Sequence, residues 1–121
     1  MQPYNFENHP LHGDWILPFA LDARNITDGW TEADTVELGL ASDRGWDDYG
    51  YHQQGPFSEL VASSTDGSGV VTLREPYYVD IWVPAAKLSR WGIGTINVRV
   101  VHRNLQAGTQ NVLLVGRLPL I

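Results

Sequence analysis

Apolar and polar residues alternate along most of this chain with a period of two, the pattern of half-buried strands. Asp14 to Leu21 sets Trp15, Leu17, Phe19 and Leu21 on one face, and Thr35 to Ala41 sets Val36, Leu38 and Leu40 against Thr35, Glu37 and Gly39. Phe57 to Ser63 and Val70 to Glu75 read as two more strands, and the Asp66-Gly67 signal between them predicts a hairpin turn over 64–69. Tyr77 to Val83 puts Tyr77, Val79, Ile81 and Val83 together, Thr95 to Arg103 turns Ile96, Val98 and Val100 inward, and Val112, Leu114, Leu118 and Leu120 belong to a last strand. Asn104 to Gln110 is a turn around Gly108. Pro18 removes a ladder donor from the first strand, which places that strand at a sheet edge. Pro84 presets φ for a first helical turn, Ala85 to Arg90 has the propensity to make it, and Gly92 and Gly94 end it. The expectation is an all-β chain, a single immunoglobulin-like β-sandwich of about seven strands with one short helical turn near 85–90, with a partly open barrel as the structural alternative.

Three segments fall outside this pattern. Residues 1–13 carry Pro3, Pro10 and Gly13 without periodicity and read as an extended N-terminal arm ahead of a β-sandwich domain over 14–121. Asp22 to Asp34 is a polar loop. Asp43 to Pro56 is a long connection holding Trp46, Tyr49, Tyr51 and His52; connections of that length in compact domains are uncommon and tend to be functional.

A chain of 121 residues is one domain with a core of its own, and without cysteine that core is held by packing alone. The absence of cysteine also removes disulfides, thiolate nucleophiles and zinc-thiolate sites. No stretch approaches the ~18 apolar residues of a membrane span, and Met1 to Glu7 has neither a basic n-region nor an apolar h-region. The expectation is a chain made in the cytoplasm without a secretory leader and without a membrane partner. A net charge of −6 argues against nucleic acid, whose binding rests on clustered Lys and Arg. The charge is uneven: residues 1–66 hold twelve acids and only Arg24 and Arg44, whereas residues 67–121 hold six bases and two acids. Such asymmetry favours head-to-tail packing of copies only if sequence halves become opposite faces, and in a sandwich the strands of both halves interleave.

Chemistry finds few carriers. His9, His12 and Asp14 lie within six residues, but a zinc site needs three or four converging ligands, and His52 and His102 are distant. Histidines that cap turns or sit at an interface are the expected reading. Asp43, Asp47 and Asp48 lack the ligand order of a calcium loop. No nucleophile elbow or phosphate loop occurs, and paired carboxylates have no visible saccharide cleft, so no enzyme and no cofactor is expected.

The aromatics are the functional candidates. Of five tryptophans, Trp15 and Trp91 are expected in the core or under the helical turn. Trp82 shares a face with Tyr78 and Asp80, opposite the apolar face of its strand, and Trp46, Tyr49 and Tyr51 lie in the long loop. Exposed aromatics desolvate large areas at small entropy cost and so anchor protein interfaces. In the arm, Tyr4 and Phe6 can lie across a neighbouring copy or add to an exposed sheet edge. The expected interface set is therefore Tyr4, Phe6, Trp46, Tyr49, Tyr51 and Trp82. The rival reading is a carbohydrate-binding module, with Trp46, Tyr49, Tyr51 and Trp82 as a stacking surface and Asp47 and Asp48 accepting sugar hydroxyls.

The order of features has a parallel. Gly13-Asp14-Trp15-Ile16-Leu17-Pro18-Phe19, then Thr35-Val36-Glu37-Leu38-Gly39-Leu40, Gly69-Val70-Val71-Thr72-Leu73 and Val79-Asp80-Ile81-Trp82-Val83-Pro84-Ala85 resemble small tail proteins of tailed phages. Ile96 to Val100 and Leu113-Leu114-Val115-Gly116-Arg117-Leu118 continue the likeness over roughly residues 13–120. It is similar to the immunoglobulin-like N-terminal domain of upper baseplate proteins. The resemblance implies a non-enzymatic virion component, present in several symmetric copies and docked to other virion structural proteins. The aromatic loop 43–56 and the absence of a fibre portion after Ile121 shift the expectation from receptor binding to an adaptor, fibre-socket or decoration role.

Overall fold

The computed structural model describes residues 4–21, 29–42 and 60–121. Two sheets pack face to face as an all-β sandwich. The larger sheet has the order β1-β8-β7-β3-β4 and the smaller β2-β6-β5, where β1 is Tyr4–Asn5, β2 Trp15–Ala20, β3 Asp34–Ser42, β4 Leu60–Ser63, β5 Val71–Arg74, β6 Tyr78–Val83, β7 Gly94–Asn104 and β8 Thr109–Leu120. The expected helical turn is a four-residue helix α1, Ala85–Leu88, continued as a 3-10 turn over Ser89–Trp91 and ended at Gly92, whose φ of 69° suits a residue without Cβ. The seven expected strands are eight among the described residues, because the arm adds β1.

The period-two alternation places the core. Val36, Leu38 and Leu40 of β3 and Ile96, Val98 and Val100 of β7 are buried from the larger sheet, facing Val79, Ile81 and Val83 of β6 and Trp15 of β2. Burying each such aliphatic side chain is worth about 1.5–3 kcal/mol. Leu88 closes one end from α1, fully buried. In β8 the alternation breaks: Val100 pairs with Leu114 but Val101 pairs with Val112, so Leu113 is the extra residue of a β-bulge. The bulge lets both Leu113 and Leu114 pack against the core.

As Pro18 implies, β2 lies at the edge of the smaller sheet. The hairpin expected over 64–69 is corrected: β4 pairs with β3 in the larger sheet and β5 with β6 in the smaller, so this turn is an arch between layers. The chain leaves the larger sheet where the Ser64 N–H donates to Val36 O at 2.9 Å and joins the smaller one where Val70 O accepts from Trp82 N–H at 2.8 Å. Asp66 holds the arch, accepting from Ser63 N–H at 2.9 Å and Ser68 N–H at 2.8 Å. An Asp-Gly turn is local chemistry, satisfied equally by a hairpin or an arch, so it does not specify which strands pair.

The arm is docked on its own domain. β1 runs parallel to β8, Tyr4 opposite Gly116 and Asn5 opposite Arg117, and His9 bridges to Leu120. Phe6 is half-buried, its ring edge-on to Trp15 at 5.2 Å. Gly116 is what allows that approach, since a Cβ there would come within 2.7 Å of the Phe6 ring and 2.8 Å of Tyr4 O.

Candidate functional site

The outer face of the smaller sheet carries the most prominent exposed apolar pair. Antiparallel register sets Ile16 of β2 opposite Trp82 of β6, followed by Pro18 opposite Asp80 and Ala20 opposite Tyr78. Ile16, on the edge strand, is 65 % exposed, and Trp82, on the central strand between fully buried Ile81 and Val83 of the other face, is 43 % exposed. Beside this pair, Arg74 Nε donates to Asp80 Oδ2 at 2.9 Å, and the Arg74 guanidinium lies 4.6 Å from the centre of the Tyr78 ring. Tyr78 stacks in turn on Tyr77 at 5.1 Å.

Trp82 is held in its outward position. Its indole Nε1–H donates to Asp14 Oδ2 at 3.1 Å, while Asp14 Oδ1 accepts from Ala85 N–H at 2.8 Å. The first N–H of α1 is thus capped by a carboxylate from ahead of β2, because Pro84 at the N-cap has no side-chain acceptor. Those two bonds, the Ala85 N–H first and the Trp82 indole second, lower the Asp14 carboxyl from its ordinary value, and His9 adds to them. A lowered carboxylate contributes above its unfolded-state pKa and loses its contribution as pH falls through the lower folded-state value. The Trp82 Nε1–H resonance is therefore expected to shift in a single acid transition below pH 3.8, and Asp14→Asn is expected to remove that transition. A Trp82 resonance that titrates unchanged in Asp14→Asn would show that another group holds the ring.

A second constellation joins the layers at one end of the sandwich. Asp34 opens β3 and is buried; its Oδ1 accepts from His102 Nε2–H at 2.9 Å and Asn104 Nδ2–H at 2.8 Å. Its Oδ2 accepts from Thr31 N–H at 2.8 Å and Thr31 Oγ1–H at 3.2 Å. Burial pushes the Asp34 carboxyl up, but the bonds from His102, Thr31 and Asn104 outweigh it and leave the pKa lowered. Trp30 packs edge-on against His102 at 5.6 Å and donates its Nε1–H to Arg74 O at 3.1 Å and Tyr78 O at 3.0 Å. The other His102 nitrogen, Nδ1, is buried and has no hydrogen-bond partner among the described residues. All four acceptor positions of Asp34 are filled from the larger sheet and the turn that enters it, and Trp30 carries the link to the smaller sheet. An open groove of about 480 Å³ runs beside it, lined by Thr31, Glu32, Ser64, Thr65 and Thr72 among others.

Of the residues expected at an interface, Trp82 stands exposed on the outer face, and Tyr4 is exposed on the arm. Phe6 packs edge-on against Trp15, whose side chain lies on the core side of β2. The structure therefore separates Tyr4 and Phe6 from Trp82 by the thickness of the smaller sheet. Trp46, Tyr49 and Tyr51 lie outside the described residues, as do Asp43, Asp47, Asp48 and His52. His9 closes a turn, its Nε2–H donating to Gly13 O at 2.8 Å, and among the described residues no three His, Asp or Glu side chains converge as metal ligands. Ile16 was legible as a large apolar residue on the face of its strand opposite Trp15, Leu17 and Phe19; Asp34, His102 and Trp30 carried no local signal.

No protein-family profile matches this chain, and no curated protein or solved structure matches it significantly. The fold and surface define it as a β-sandwich that presents a tethered aromatic on an open sheet face.

Proposed function

We propose that this chain is a non-catalytic structural protein of a tailed-phage virion, an immunoglobulin-like sandwich that docks to other virion proteins through the outer face of β2, β6 and β5. One observation carries the docking surface: Ile16 and Trp82 are cross-strand neighbours, both exposed, with the indole fixed by Asp14 before any partner arrives. A side chain already held in one rotamer loses little entropy on binding, which favours its use as an anchor. The strand order supports an immunoglobulin-like assignment, since the last strand pairs on one side with an arm from the start of the chain and on the other with the preceding strand, in the layer opposite β2, β6 and β5. The virion assignment itself rests on the order of sequence features that resembles tail proteins.

The test is co-fractionation with particles through a density gradient of the source lysate, for wild type, Ile16→Asp and Trp82→Ala. Both positions are exposed, so the variants are expected to keep wild-type unfolding curves. Each well-buried anchor is worth about 2 kcal/mol or more, so association is expected to fall roughly 30-fold in either variant. Absence of the wild-type chain from intact particles overturns the virion reading, and saturable sugar binding that depends on Trp82 would put a carbohydrate-binding module in its place.

A further inference from the structure

We propose that the N-terminal arm is an exchangeable strand, and that residues 4–11 of one copy fill the β8-edge groove of a second copy of this chain. The inference is independent of the virion reading and concerns a different surface.

The arm is bound to the domain almost entirely along its length. Phe6 N–H donates to Arg117 O at 3.0 Å, His9 N–H to Pro119 O at 2.8 Å and Leu11 N–H to Ile121 O at 2.9 Å, and Ile121 N–H returns a bond to His9 O at 2.9 Å. Phe6 and Leu11 both pack against the core. Every one of these contacts lies between arm and body, so an arm from a second copy makes the same set with nothing lost.

The groove is shaped for this segment. Gly116 leaves room for the Phe6 ring and the Tyr4 carbonyl where any side chain would collide. The arm covers the final part of the β8 edge, from Gly116 to Ile121, and without it that stretch would present unpaired backbone groups on which another strand can pair. The sequence that fits this part of the edge is residues 4–11, from this copy or another.

The link between arm and body is short. His12-Gly13-Asp14 joins the arm to β2, and the turn is closed by two bonds, Gly13 N–H to Pro10 O at 3.0 Å and His9 Nε2–H to Gly13 O at 2.8 Å. His12 and Asp14 are exposed, so straightening this turn uncovers no core. Extended, three residues span about 10 Å, enough to carry the arm clear of its own edge. Opening the turn breaks those two bonds, while every strand contact of the arm is remade in the partner.

The experiment mixes two full-length chains, Asn5→Cys and Arg117→Cys, whose positions face each other across the β1–β8 ladder and are exposed. The mixture is treated with a short bis-maleimide and the products are identified by mass. The expected result is a hetero-crosslinked dimer in excess over both homodimers, returning to the statistical ratio when Phe6→Ala is added to the Asn5→Cys chain. A statistical mixture, or monomer only, overturns the proposal. A second variant lacking His12 and Gly13 cannot fold its arm back, and light scattering is expected to report twice the monomer mass. A folded monomer from that variant overturns the proposal equally.

Discussion

Asp34→Ala is expected to lower the unfolding free energy by about 3–5 kcal/mol, since each buried donor left without its acceptor costs about 1–3 kcal/mol. The loss is large because one carboxylate satisfies four donors: His102 Nε2–H, Asn104 Nδ2–H, and the backbone and hydroxyl of Thr31. Asp34 and His102 are only 6 % and 5 % exposed, so water does not replace the lost acceptor at the imidazole. The Asn104 side chain also accepts from Ala107 N–H at 2.8 Å in the β7–β8 turn, so the damage is expected to reach that turn. Urea unfolding at neutral pH measures the difference, and a loss below about 1 kcal/mol would show that the donors find other partners. The sign of the pH dependence follows from the lowered carboxyl. Asp34 contributes fully above its ordinary value of 3.8, so wild type and variant differ most near neutrality, and the gap narrows as pH falls through the lower folded-state value.

Leu38→Ala is expected to cost a comparable 2–5 kcal/mol for a different reason. Leu38 stands in the middle of β3, fully buried, with Val100 of β7 on one side and Ala62 of β4 on the other. Truncation removes the transfer free energy of three carbons and leaves a cavity that hydrogen-bonded neighbours on both flanks prevent from closing. Leu38→Met keeps the volume and is expected to cost less than about 1.5 kcal/mol. Since a domain of this kind is stable by only about 5–15 kcal/mol, Asp34→Ala and Leu38→Ala together are expected to leave it largely unfolded at physiological temperature. The two sites lie on one strand but share no partner, so thermal melts of the single and double variants should show near-additive losses.

The parts of this protein that sequence determined are those governed by nearest neighbours. Alternation in Val36-Glu37-Leu38-Gly39-Leu40, in Val79-Asp80-Ile81-Trp82-Val83 and in Ile96 to Val100 dictated which side chains face the core, because successive residues of a strand must point to opposite faces. The same rule put Trp82 outward. Pro84 and the alanines after it sufficed for one helical turn, and Pro18 for an edge strand. Ile16 was equally legible by this rule, standing on the face opposite Trp15 and Leu17.

What only the tertiary structure decided is how distant segments meet. Ser64 to Val70 has the residues of a tight turn in either case, and the sandwich made it an arch, because β3 and β6 each offered β4 and β5 a better partner than one another. The tethering of Trp82 by Asp14 spans 68 residues of chain, and so does the pairing of His102 with Asp34; neither pair leaves a mark on its local sequence. The bulge at Leu113 and the fit of Phe6 over Gly116 depend on register between strands that meet only after both layers have closed. Side-chain direction is a property of the local backbone and can be read from spacing. Polar partners and strand partners are chosen by which long-range arrangement buries the apolar faces and satisfies every buried donor at once, a choice made by the whole chain.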